Sequence, residues 1–114
     1  LCTYAERLYY EHYYPQLLPW WWAYRVDFYE PSGPINRTIY DYSTFRAYRD
    51  AVYLNGARFL EGLRLQMGDD AFFAALNDYA AAFRGGFATG ADLLAAFAAH
   101  TNADLSPLFA NFIE

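Results

Sequence analysis

Apolar residues recur at three- and four-residue spacing through most of the chain, the period of helices that bury one face. Leu1, Tyr4, Ala5, Leu8 and His12 form the first such stripe and predict a helix over residues 1 to 14. Pro15 ends it, because proline lacks the backbone N–H and its ring clashes inside a helix. Leu1 already lies on the stripe with no capping residue before it, so this helix is expected to begin upstream. Residues 17 to 29 predict a short second helix, with Pro19 in the first turn and Leu18, Trp22, Arg25 and Tyr29 along one side. The aromatic and β-branched content of residues 24 to 29 would equally suit an extended segment. Pro31-Ser32-Gly33-Pro34 has the chemistry of a turn, and a loop is expected to about Tyr42.

A long helical pattern follows. Ser43 is the expected N-cap, and Phe45, Tyr48, Val52, Leu60, Leu63 and Met67 mark the apolar face of a helix over residues 43 to 67. Gly68 suits the position just past a helix end. Asp69 or Asp70 is expected to cap the next helix, which carries Phe72, Leu76, Tyr79 and Phe83 on one face until Gly85-Gly86 stops it. Thr89 with Asp92 three residues on resembles a capping box, and Leu93, Leu94 and Phe97 follow. Asp104 is expected to cap a last helix over residues 105 to 113. The fold class expected is all-α, in one domain, with short links between packed neighbours.

Composition adds something to this pattern. The 114 residues are 56% hydrophobic and 22% aromatic, with 12 Tyr, 10 Phe and 3 Trp, and only 18% are charged. An ordinary soluble domain has about 25% charged residues. That is more apolar surface than one small core needs, and it implies contact with a partner or with more of the same protein. The net charge of −5 and the eight scattered Lys and Arg exclude a nucleic-acid footprint, which wants clustered basic residues. No apolar run reaches the roughly 18 residues of a membrane span. Cys2 is alone, so no disulfide framework or thiolate metal site is expected.

The standard catalytic constellations fail in turn. His12 and His100 stand far apart in sequence, and neither belongs to a His-Glu-x-x-His pair. Gly85-Gly86 and Gly90 lack the context of a phosphate loop, and there is no Gly-x-Ser-x-Gly elbow. Glu6, Glu11 and Glu30 read as solvated acids. Trp20-Trp21-Trp22 reads first as packing into a core or interface, and second as an aromatic wall for a ligand or a membrane-surface anchor. Asn36-Arg37-Thr38 matches a glycosylation acceptor, a pattern too short to carry weight.

One stretch is more specific. Tyr53-Leu54-Asn55-Gly56-Ala57, then Phe59-Leu60, Leu63-Arg64, Met67-Gly68-Asp69 and Phe72, resembles the zinc aminopeptidase family typified by aminopeptidase N, whose catalytic domain is thermolysin-like. Members carry a Tyr-x-x-Gly-Ala element opening a helix, then Leu-Arg, a Gly-Asp turn and a Phe. Leu76, Tyr79, Thr89, Asp92-Leu93 and Asp104-Leu105 keep the family's order. Leu1-Cys2-Thr3-Tyr4 with Glu6 resembles the segment after the family's third zinc ligand. The likeness covers about residues 1 to 14 and 43 to 113, and residues 15 to 42 match nothing in it.

The resemblance implies that the chain is the helical C-terminal half of a gluzincin catalytic domain, a partial domain over residues 1 to 114. In the family a zinc ion held by two His and one Glu activates water, a separate Glu is the general base, and a tyrosine hydroxyl helps to hold the oxyanion. That tyrosine matches Tyr53, and Tyr48 is a candidate for lining the same substrate cleft. The zinc ligands, the base and the amino-terminal-recognition residues would all precede Leu1. The resemblance therefore implies zinc in the parent enzyme and none bound by this piece, which alone should be inactive. Its partners would be the missing N-terminal part of the domain and a peptide substrate. Neither nucleic acid nor membrane is expected as a partner. An exposed apolar face around Leu1, Tyr4 and Leu8 would favour self-association. Asn55 departs from the pattern, since members commonly have Lys before the Gly. Two rival readings are a helical interaction module using its Trp and Tyr surface, with Tyr53 buried, and a metallopeptidase-like domain without activity.

Overall fold

The computed structural model describes residues 1–114, and every regular element in it is helical. Helix α1 runs Cys2–Tyr13, α2 Leu18–Trp21, α3 Phe45–Tyr48, α4 Gly56–Met67, α5 Asp69–Phe83, α6 Gly90–Ala98 and α7 Ser106–Phe112. Two π-helical segments interrupt the regular winding, Trp22–Val26 after α2 and Arg49–Asn55 between α3 and α4. The long helix expected over residues 43 to 67 is thus one continuous coil with a widened middle. Helical winding also holds for residues 24 to 29, where an extended segment was the alternative. No helix is long and apolar enough to cross a membrane.

The chain divides into two compact units: residues 1–61 with 109–114, and residues 62–108. In the first, Trp21, Val26 and Leu54 form a buried cluster against which Tyr10, Trp22 and Tyr29 pack. Pro15 ends α1 as expected, and Leu17 N–H bonds the Tyr14 carbonyl in the turn that follows. Phe59 meets Phe109 and Phe112 at ring-centre distances of 6.1 and 5.6 Å. The 31–37 loop is clasped from several sides: Ile35 N–H bonds the Phe112 carbonyl, and Asn36 and Glu114 exchange two hydrogen bonds.

The buried face of α1 differs from the apolar stripe. Thr3, Tyr4 and Arg7 are buried, while Leu1, Ala5 and His12 are exposed and Leu8 is half-buried. An ion network explains the rotation. Tyr4 donates to Glu61 at 2.5 Å, and Arg7 pairs with both Glu11 at 2.6 Å and Glu61 at 3.2 Å. Tyr4 therefore takes no part in the exposed face expected around Leu1 and Leu8.

In the second unit Phe72 of α5 stacks on Phe97 of α6, 5.4 Å apart and 24° from parallel, with Leu63, Ala75 and Leu105 also buried. Gly68 takes φ +83°, a conformation glycine adopts without steric cost. It occupies the N-cap of α5, so neither Asp69 nor Asp70 caps the helix. The Asp69 carboxylate instead binds the Arg64 guanidinium at 2.8 and 3.0 Å. Ser43 is likewise displaced as a cap by Thr44, whose hydroxyl accepts from Ala47 N–H at 3.1 Å.

The capping box forms as expected: Thr89 and Asp92 bond each other's backbone N–H at 2.7 and 3.2 Å. The Thr89 hydroxyl, which donates to the Asp92 carboxylate at 2.7 Å, and after it the Thr89 N–H hold that carboxyl below its ordinary 3.8. A carboxyl whose folded value is depressed stabilises the fold above its unfolded value and loses that contribution as pH falls through the folded one. Amide protection in the first turn of α6 should therefore decline on acidification below 3.8, as read by hydrogen exchange. The decline should be smaller in Thr89→Ala, which keeps only the backbone N–H bond to Asp92 and starts about 1 kcal/mol less stable. Acid-insensitive protection in the wild-type helix would contradict this.

Candidate functional site

Tyr53 sits in the π-helical segment Arg49–Asn55, whose neighbours Ala51, Leu54 and Asn55 are buried. Gly56 N–H reaches back five residues to the Ala51 carbonyl, the bond that defines π winding. Single turns of this kind inside α-helices are frequent at functional sites. The buried residues fix the backbone while the Tyr53 phenol is left 43% exposed. That exposure is opposite to what the interaction-module reading requires of Tyr53.

Asn55, the residue that departs from the family pattern, has a structural task. It is buried, and its side-chain amide donates to the Gly33 carbonyl at 2.9 Å. Gly33 has φ +100°, and a Cβ there would meet the Ala51 methyl at 3.4 Å. The turn predicted from Pro31-Ser32-Gly33-Pro34 is thus tied onto the π segment beside Tyr53.

Tyr48 stands at the junction of α3 and the π segment. Its ring meets that of Tyr53 edge to face, 5.7 Å between centres and 84° between planes. Tyr42 also meets Tyr48, 5.6 Å between ring centres, and its own hydroxyl donates to the Pro34 carbonyl at 2.5 Å. Desolvation first, then the neighbouring Tyr53 phenol, raises the Tyr48 phenol above its ordinary 10.0. Burial likewise raises Tyr42. Both predicted site tyrosines therefore lie together, with a third that the sequence reading did not single out.

A second feature of the first unit lies where Trp20-Trp21-Trp22 offered an aromatic wall as its second reading. A cleft of about 620 Å³ is lined by Glu6, Tyr9, Tyr10, Trp20, Trp21, Tyr24 and Arg25. The Arg25 guanidinium binds both oxygens of Glu6, at 2.8 and 3.1 Å, so the charge inside is paired. The three consecutive tryptophans part company here: Trp21 is buried, Trp22 half-buried and Trp20 51% exposed. The signal available in sequence was the four-residue spacing of Glu6 with Tyr10, of Trp20 with Tyr24 and of Trp21 with Arg25.

No three His, Cys, Asp or Glu side chains are grouped so as to hold a metal ion. His100 Nε2 lies 2.7 Å from the Asp78 carboxylate, and the His12 ring packs edge-on against Tyr13. Compared with known proteins, the chain matches no family profile, no curated protein and no solved structure.

Proposed function

We propose that these residues form the helical part of a zinc-dependent aminopeptidase catalytic domain, in which Tyr53 donates a hydrogen bond to the oxyanion of the tetrahedral intermediate. The ordered resemblance from Tyr53 to Leu105 brings this reading. The observation that carries it is the half-exposed phenol on a π turn whose neighbours are buried. A neutral phenol on a rigid ring suits the task, because it donates without bringing a charge to the site. Preorganised donors of this kind gain strength where charge develops and cost no reorganisation during the step. Zinc in such an enzyme supplies the activated water, and its ligands would come from polypeptide outside these 114 residues. What this chain contributes is the oxyanion donor and the scaffold that holds it.

The test is an assay of the complete polypeptide on an unblocked amino-acyl amide and its N-acetylated counterpart. Hydrolysis of the unblocked compound alone, abolished by a chelator and restored by zinc, is the expected result. No hydrolysis of either would remove the peptidase reading. It would favour a second one, a helical interaction module, for which the aromatic cleft between α1 and α2 is the specific observation. Exposed Tyr and Trp side chains are the residue types that most often anchor protein interfaces.

A further inference from the structure

Glu6 stands on α1 and Arg25 in the π-helical segment Trp22–Val26, so the ion pair between them joins the two walls of the aromatic cleft. The rings beside it turn in steps. Tyr10 meets Trp20 at 6.4 Å and 39°, and Trp20 meets Tyr24 at 5.8 Å and 40°. Tyr9 stands edge-on to Tyr10 at 6.2 Å, and the buried Trp21 completes the lining. The result is a curved aromatic surface with one ion pair set into it. Its volume of about 620 Å³ lies within the range of small-ligand sites. The pair is only half spent. Each Glu6 oxygen accepts one N–H from Arg25, which leaves carboxylate lone pairs and guanidinium N–H groups for a ligand. Both side chains remain partly exposed, so a ligand can reach them.

We infer that this cleft binds a neutral saccharide of pyranose rings with equatorial hydroxyls, and binds it without cleaving it. Such a ring carries C–H groups on its two faces and hydroxyls around its edge. The C–H faces suit the negative faces of Tyr10, Trp20 and Tyr24. Each edge hydroxyl both donates and accepts, so neighbouring hydroxyls answer the Arg25 N–H groups and the Glu6 oxygens together. Other ligand chemistries fit less well. A cation meets the Arg25 charge, with Glu6 already engaged, and an anion meets Glu6 in a chain of net charge −5. A purely apolar ligand would strip water from the ion pair and give nothing back. A proline-rich segment lacks N–H donors, so the spare Glu6 lone pairs would go unanswered. Glu6 is also the one carboxylate in the lining, whereas glycoside hydrolysis uses a pair. The assignment goes beyond the peptidase reading and does not depend on Tyr53.

The probe is cellopentaose, a neutral chain of flat glucose rings, with deca-proline, choline chloride and inorganic phosphate measured beside it. In the full chain labelled with nitrogen-15, cellopentaose should shift the Trp20 indole N–H and amides near the cleft residues. Amides of the second unit, residues 62–108, should stay in place. Trp20→Ala should weaken the affinity about 10-fold, the size of one lost aromatic contact. Glu6→Gln should weaken it about 3- to 10-fold, since one ligand hydrogen bond loses its charged partner. Phe28→Ala removes a ring that is 70% exposed and outside the cleft, and should leave the affinity unchanged. The saccharide should be recovered intact. No shift at about 10 mM cellopentaose, a Kd too weak to matter, overturns the assignment. So does an affinity that Trp20→Ala leaves untouched while the amide pattern shows the variant folded. Binding of deca-proline in place of cellopentaose would hand the cleft to a peptide partner, and binding of choline or phosphate to an ion. Cleaved saccharide would overturn the claim that the site binds without hydrolysis.

Discussion

If these residues belong to the proposed aminopeptidase, Tyr53→Phe should lower the turnover of the complete protein by about 100- to 1,000-fold, the usual cost of deleting one oxyanion donor. The substitution removes a single oxygen from a side chain that is 43% exposed, so little packing is lost. Its ring remains available to meet Tyr48 edge to face. The loss should fall on kcat and on kcat/KM alike, because the phenol is asked to act only when charge develops on the substrate oxygen. A rise in KM with kcat intact would mean that Tyr53 binds the ground state instead. Unfolding midpoints should stay within the roughly 0.5 kcal/mol typical of surface changes.

The second large effect is structural. Trp21→Ala should destabilise the first unit by about 3–5 kcal/mol, the range for emptying a fully buried aromatic site. Trp21 is 2% exposed and shares its cluster with Val26 and Leu54. Its ring also meets Trp22 edge to face at 4.9 Å. A domain has only about 5–15 kcal/mol in all, so the variant should unfold at far lower denaturant. Leu54 directly follows Tyr53, and a cavity beneath it would loosen the turn that presents the phenol. Trp20→Ala is the control. Trp20 is 51% exposed, and its truncation should cost under about 1 kcal/mol. Similar losses for the two variants would mean that the cluster does not hold the first unit.

Helical class and most boundaries were legible because they depend on local chemistry. Pro15, the Gly85-Gly86 stop and the Thr89–Asp92 box act through bonds within a few residues, and each takes its expected place. What failed depends on residues distant in sequence. The buried face of α1 is set by Glu61, which draws in Tyr4 and Arg7, and no periodicity in residues 1 to 14 records that partner. Asp69 fails for a nearer reason: Gly68 takes the N-cap, and Arg64 five residues back binds the Asp69 carboxylate. The π segments were invisible for another reason: their residues carry no propensity distinct from α-helix, and the widened turn is fixed by packing of Ala51, Leu54 and Asn55.

The tyrosines show the same division. Tyr53 was singled out through resemblance alone, since in a chain with 12 Tyr nothing in its spacing distinguishes it. Tyr42 escaped notice because its importance lies in an 8-residue closure onto Pro34. Trp20-Trp21-Trp22 signals an aromatic wall, but the cleft needs Glu6, Tyr9 and Tyr10 of α1 opposite it, and no pattern within either segment records that pairing.

The most direct test of the central claim is affinity for a stable mimic of the tetrahedral intermediate, a phosphinic pseudopeptide, in the complete enzyme with Tyr53 and with Tyr53→Phe. If the phenol holds the oxyanion, the variant should bind the mimic about 100- to 1,000-fold more weakly, in step with its lost turnover. Equal affinity of the two proteins for the mimic would contradict the account.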